Sequence, residues 1–302
     1  MIRLTLLAGY LVVCATWVPW ALSRAAWVSR FPRAAIALWA GLVVAVSAGA
    51  VAFGAMTARH VRWHAADLVW SWTRLLDALR GHLVVILCVA GALSAAVVVL
   101  RGVIVGTGSL WRLRRGWCDH VDALDLLARP LEDLPAVVLE HTVPAAYCVP
   151  TRGGRVVLTS GALRRLPPGT VAAVIAHEQA HLRGRHHLMA ALAASLARAF
   201  PYVPLFHLVR PAMTRLIELA ADDHASRRCR SETVATALSV LVAVPLGAGA
   251  LQAGTEGASE RIHRLRRAPA SGGRQSLAAM GGFLFTVASS ALIATWAWAG
   301  GC

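Results

Sequence analysis

The sequence predicts a mainly α-helical membrane protein, with about four transmembrane helices and an α+β domain between the third and the fourth. Three observations carry that expectation. The 302 residues are 57% hydrophobic and 15% charged, with a mean hydropathy of +0.60. Four apolar stretches, residues 4–20, 34–56, 83–105 and 277–299, are close to the ~20 residues a helix needs to cross the hydrocarbon layer. The segment between the last two, 106–276, reads as short strand-like runs followed by helical patterns. The expected organisation is three N-terminal spans within 1–105, a folded domain over 106–276, and a last span with a short tail over 277–302.

Each span has its own justification. The first, 4–20, follows Arg3 and precedes Ala21-Leu22-Ser23, a pattern that also suits a cleaved signal peptide. Its apolar core is longer than a signal core, and Trp17 and Trp20 suit an interface, so a retained span is expected. The second and fourth spans contain no charge, and the third contains only Arg101, near its end. Arg24, Arg30 and Arg33 lie between spans one and two, Arg112, Arg114 and Arg115 follow span three, and Arg261, Arg264, Arg266, Arg267 and Arg274 precede span four. The positive-inside rule then places 106–276 in the cytoplasm, and the Arg-only basic set, with its GC-rich codons, suits a bacterial cell and its plasma membrane. Trp63, Trp70 and Trp72 in the outer link suggest an amphipathic helix at the outer interface. Apolar residues 188–209 and 234–254 are interrupted by Arg198, Pro201, Pro204 and Pro245, and read as buried or membrane-lying helices of the domain.

Composition removes several function classes. The net charge is +15, and every basic residue is Arg. Without lysine there is no Schiff-base amine and no Ser-x-x-Lys nucleophile. A basic chain this rich in apolar runs suits a lipid bilayer, and no direct nucleic-acid binding is expected. Trp111-Arg112-Leu113-Arg114-Arg115 reads as an electrostatic anchor on anionic lipid. The six cysteines (14, 88, 118, 148, 229 and 302) include no Cys-x-x-Cys pair, so neither a thiolate metal site nor a disulfide framework is indicated.

Within the domain, residues 136–140, 145–149 and 156–159 read as strands, the last two joined through Gly153-Gly154 as a hairpin. That hairpin could offer an edge to an extended substrate. Leu166-Pro167-Pro168-Gly169-Thr170 punctuates the chain, and a helix is expected from Val171. On it lies His177-Glu178-Gln179-Ala180-His181. Histidines four apart share one helical face and can hold one Zn2+, which lowers the pKa of a bound water towards ~7. The intervening Glu178 can take that water's proton as general base. A catalytic zinc wants a third protein ligand. Among the downstream acids, only Glu218 and Asp222 combine i, i+4 spacing with an apolar helical setting: Glu218 as that ligand, Asp222 orienting an imidazole from behind.

Together, His177-Glu178-x-x-His181 and Glu218-x-x-Ala221-Asp222 resemble the gluzincin signature of integral-membrane metallopeptidases. Three spans before the domain and one after resemble the BlaR/MecR type more than the related HtpX and CAAX-protease type. Ala146-Tyr147-Cys148-Val149-Pro150, Val157-Leu158-Thr159-Ser160-Gly161 and Arg183-Gly184-Arg185-His186-His187 add to the likeness. The resemblance implies a zinc metalloendopeptidase with a gluzincin-type domain, cleaving a regulatory or membrane-associated protein, commonly a winged-helix repressor. Only Gly300-Gly301-Cys302 follows the last span, so no extracellular penicillin-binding sensor domain is expected. Arg261 resembles the arginine that follows the zinc ligands in related gluzincins and is the first candidate for stabilising an oxyanion. His186, His187, His224, Tyr147 and Tyr202 are the alternatives. A non-catalytic zinc-binding membrane scaffold is the competing reading, and Glu178 argues against it, since a structural site needs no base. A small transporter is disfavoured by the few charges inside the spans.

Overall fold

The computed structural model describes residues 2–70, 75–150, 153–242 and 247–267. Helices α1 (Ile2–Arg24) and α3 (Pro32–Trp70) are joined through the single turn α2 (Trp27–Arg30), and α4 runs from Leu75 to Leu127. Three stretches are long and apolar enough to cross a membrane: Leu4–Arg24, Pro32–Arg59 and Val89–Leu127. The expected fourth span, 277–299, lies outside the described residues.

The third helix departs from expectation. Residues 83–105 were to be a span ending where the domain began at 106, but α4 continues unbroken to Leu127. No proline interrupts 106–127, so nothing stops the helix where the hydrophobicity falls. The boundary at 106 therefore falls inside a helix that leaves the apolar region and enters the domain. Residues 57–70 and 75–82, expected as a separate interfacial helix, are continuations of α3 and α4.

The domain starts with a four-stranded sheet in the order β1-β2-β4-β3, built from β1 (Ala128–Pro130), β2 (Val137–Leu139), β3 (Ala146–Val149) and β4 (Arg155–Thr159). β2 and β4 are parallel and the other pairs antiparallel. Strands β2, β3 and β4 match the sequence reading. β1 does not, because Ala128-Arg129-Pro130 carries no apolar alternation and pairs only along the sheet's edge. Alternation divides the sheet's two faces. Tyr147, Val149, Val157, Val137 and Leu139 pack against Val121 and Leu124 at the end of α4. Ala146, Val156 and Leu158 face Val174 and Ile175 of α6 (Val171–Arg183). Cys148 shares this second face through its register with Val156.

After β4 the chain turns into α5 (Ser160–Arg165), whose first turn is capped by the Thr159 hydroxyl, 3.1 Å from the Ala162 amide. Helices α7 (His186–Ala199), α8 (Pro204–Ser226), α9 (Ser231–Val242) and α10 (Gly247–Arg266) complete the described fold. Residues 188–209 are thus divided between α7 and α8, broken where Pro201 and Pro204 fall, and 234–254 fall on α9 and α10, with Pro245 outside the described residues. The apolar face of α8 packs into the spans: Leu205, Val209, Met213, Leu216 and Leu219 share one core with Cys14 and Leu22 of α1 and with Ile36, Trp39 and Leu42 of α3. Trp39, Leu42, Leu205 and Leu219 are fully buried there. Arg215 of α8 and Arg264 of α10 both bond to Ser29, so the α1–α3 link and the domain lie on the same side of the spans.

Gly161 is the tightest point of the sheet-to-helix turn. A Cβ there would stand 2.2 Å from the Thr142 carbonyl oxygen, which is backbone and cannot swing aside. Gly161→Ala is expected to destabilise the domain by about 1–3 kcal/mol, the usual cost of overpacking. A lowered Tm of the detergent-solubilised chain would register it, and an unchanged Tm would contradict the packing described.

Candidate metal centre

Helix α6 has an apolar first half, with Ala173, Val174, Ile175 and Ala176 buried, so its next turn emerges from the core carrying His177, Glu178 and His181. Helix α8 crosses it and brings Glu218 and Asp222. Among the described residues, His177, His181 and Glu218 each offer a donor atom within 4.8 Å of the others. The two Nε2 atoms are 3.1 Å apart, and each lies 3.5 Å from a different Glu218 oxygen. Donors ~2.1 Å from a tetrahedral zinc stand roughly 3.4 Å from one another, so the triangle has the size a zinc ion needs. One carboxylate and two imidazoles are also the donor set of an open, catalytic zinc site.

Behind the ligands, the structure settles how the imidazoles are held. His177 Nδ1 is 3.1 Å from Asp222 Oδ1, and Asp222 is 1% exposed. His181 Nδ1 is 3.1 Å from His186 Nδ1. The turn between α6 and α7 is shaped for this contact: Arg185 is left-handed, at φ 48°, and a Cβ on Gly184 would stand 2.2 Å from His186 Nε2. Only glycine lets that ring fold back over the turn. His186, an oxyanion alternative in the sequence, is placed as the support of His181. A histidine five residues beyond a motif histidine was the visible signal, but the direction of its ring depends on a left-handed residue that composition does not reveal.

Arg261 lies on α10 and forms a two-pronged bond with Asp222, both contacts 2.8 Å, while its third nitrogen is 2.8 Å from Glu218 Oε2. It braces the carboxylate behind His177 and the carboxylate facing the metal position. The other candidates lie elsewhere. Tyr147 bonds to His120 at 3.0 Å on the sheet's far face, Tyr202 is 95% exposed, His187 stacks edge-on against Trp117, and His224 approaches Arg183. Asp223 pairs with Arg264, Glu232 with Arg266, and Glu260 with Arg215; among the described side chains downstream of the motif, Glu218 and Asp222 are the acids that meet it.

Glu178 stands beside the triangle and lines a cavity of about 160 Å³ with His177, Glu218, Asp222 and Arg261; its far wall is apolar, from Val234, Ala237, Leu238 and Leu241 of α9. Burial raises the Glu178 pKa, partly opposed by neighbouring His177. A carboxylate with a raised pKa is a better proton acceptor near neutrality. The Cys148 thiol hydrogen-bonds to Glu178 and is itself pushed up to about 12, by burial first and by the Glu178 charge second. Cysteine spacing in the sequence indicates no partner for Cys148. Its neighbour follows from strand alternation on β3 once the sheet's α6 face is known.

Residues 119–251 match peptidase family M48. The match covers less than half of the chain. It takes in the sheet, the motif helix and Glu218 with Asp222, and it supports an M48 metallopeptidase. Arg261 lies beyond it. No curated protein and no solved structure matches the chain.

Two outcomes are expected of the metal site. Burial disfavours the charge on His177, yet the Asp222 and Glu218 hydrogen bonds outweigh it and lift its pKa to about 9. Burial lowers His181 to about 4. Glu218 and Asp222 are held at about 2, because their His177 and Arg261 partners outweigh burial. Zinc and one proton, that of His177, therefore compete at pH 7. Zinc affinity should rise about tenfold per pH unit between about pH 6 and 8, and calorimetry in two buffers should show about one proton released per zinc. A release near zero would mean that His177 is already neutral. Separately, Asp222→Asn should weaken zinc binding by about 10–100-fold while leaving the ligands in place; metal-competition titration measures it.

Proposed function

We propose that the chain is a membrane-embedded zinc-dependent endopeptidase that hydrolyses peptide bonds of a regulatory or membrane-associated protein. The observation that carries this reading is the His177–His181–Glu218 triangle at zinc dimensions with Glu178 beside it. When bound, zinc would polarise the scissile carbonyl and supply an activated water. The chain's own residues do the rest. Glu178 takes a proton at its carboxylate and passes it to the departing amine. Asp222 and His186 hold the two imidazoles in register, and Arg261 holds Glu218 and Asp222. The apolar α9 wall suits a hydrophobic substrate side chain, and β3, at the sheet's edge, suits an extended substrate backbone.

Three N-terminal stretches able to span, and a domain on the same side as the arginine-bearing α1–α3 link, support a multi-pass protein. We place its site at the cytoplasmic face of a bacterial plasma membrane. The BlaR/MecR-type arrangement and a winged-helix repressor as substrate are the finer parts of the proposal and rest on the sequence resemblance. The experiment is Glu178→Gln. The variant should bind zinc as the wild type does and lose about 10²–10⁴-fold in cleavage. Mapping of new protein N-termini in cells expressing each form at equal level reads the loss; identical N-terminal profiles with full zinc content would leave only a zinc-holding membrane protein.

A further inference from the structure

A second cavity, of about 390 Å³, lies away from the metal site in the trough between α4 and α7. On α4 it is lined by Ser109, Arg112, Leu113 and Trp117, spaced so that they share one helical face, and on α7 by Ala194 and Arg198. No carboxylate lines it. Arg198 donates to the Ser109 hydroxyl at 2.7 Å, and among the described residues neither it nor Arg112 has an acidic partner. Arg101 donates to the Ala199 carbonyl at 2.5 Å, so the end of α7 presents a cation rather than a bare carbonyl. Elsewhere in the domain, arginines next to acids pair with them, as in Arg264–Asp223 and Arg266–Glu232.

The location indicates which anion fits. Along α4, Val97, Leu100, Val103 and Ile104 are more than half exposed, an apolar surface that suits acyl chains. It ends at Leu110 and Trp111, over which Arg115 stacks. The trough thus opens at the level where lipid phosphates replace hydrocarbon. Its two guanidiniums are donors for phosphate oxygens, the Ser109 hydroxyl, which donates to the Val105 carbonyl at 2.6 Å, holds Arg198 in place, and Leu113 and Ala194 form an apolar floor. A free phosphate would use the donors and leave that floor and the neighbouring apolar flank without a partner.

We propose that the α4–α7 trough binds an anionic phospholipid, with its phosphate between Arg112 and Arg198 and its acyl chains along α4. Trp117 touches this lipid on one side and His187 on the other, so the occupant braces the helix that begins with His186. Binding rests on the membrane placement and not on proteolysis, so it stands or falls independently of the peptidase reading.

The test uses the full chain in neutral detergent. Phosphatidylglycerol and phosphatidylcholine are compared by native mass spectrometry, with inorganic phosphate as competitor. Phosphatidylglycerol retention should fall about 30-fold in Arg112→Gln/Arg198→Gln, from about 1 kcal/mol per arginine. Arg210→Gln, an exposed arginine on α8, should leave it unchanged. Photo-crosslinking of phosphatidylglycerol to the wild type should mark 109–117 and 191–198, a readout that holds even if the double variant fails to fold. Equal retention by the double variant, equal phosphatidylcholine binding, or crosslinks elsewhere would overturn the proposal. Displacement by millimolar inorganic phosphate would make it a free-phosphate site.

Discussion

The arrangement depends on one buried ion pair, Asp222 with Arg261. An isolated carboxylate as buried as Asp222 would be neutralised or would expel the helix that carries it. Here both oxygens are taken by the guanidinium, and one of them also receives His177. The pair does more than cover a charge. It fixes α10 against α8, sets which nitrogen of His177 carries a proton, and through the third arginine nitrogen turns Glu218 towards the histidines. A lysine could not make this contact, since a point ammonium has no planar fork to span two carboxylates.

The same helix that presents Glu218 and Asp222 is the one that packs into the spans. Pro204 starts α8 at its first turn, where its missing amide costs nothing, and Leu205 to Met213 then meet α1 and α3. About two turns later the apolar face gives way to the site. No linker separates this packing from the site: α8 carries both, from Leu205 at its start to Glu218 and Asp222. α4 makes a second such link, from the apolar region to the sheet face opposite the one that covers α6. The motif helix is thus held from both sides, by α8 packed on α1 and α3 and by α4 across the sheet.

What local pattern encodes is legible in the sequence. The motif histidines, Glu178 and the strands β2 to β4 follow from spacing and alternation, and Glu218 with Asp222 from one helical face in an acid-poor chain. What tertiary context decides is not. Helix α4 runs past its expected end because no proline stops it where hydrophobicity falls at 106, and the weak helix formers Gly106 and Gly108 do not break it. β1 forms only because β2 offers it an edge. His186 and Cys148 gained their places at the site from a left-handed turn and from the parity of a strand, and neither is visible until the partners are in position. Arg261 was legible only by family likeness, and its partners, two carboxylates on another helix, are a matter of packing.

The arginine-only composition acquires a structural meaning from these partners. Arg129, Arg155, Arg215, Arg264 and Arg266 stand near the domain surface, each against a single carboxylate, where such pairs contribute little. Arg261 is buried against two, where geometry and dielectric make the same chemistry strong. Among the described residues Arg112 and Arg198 have none, and they face a trough at the end of an apolar helix. One residue type thus serves surface, site and bilayer, and burial and partner count decide which. Charge totals therefore say little about this protein: among the described residues, some of the arginines behind the +15 meet a carboxylate and others do not.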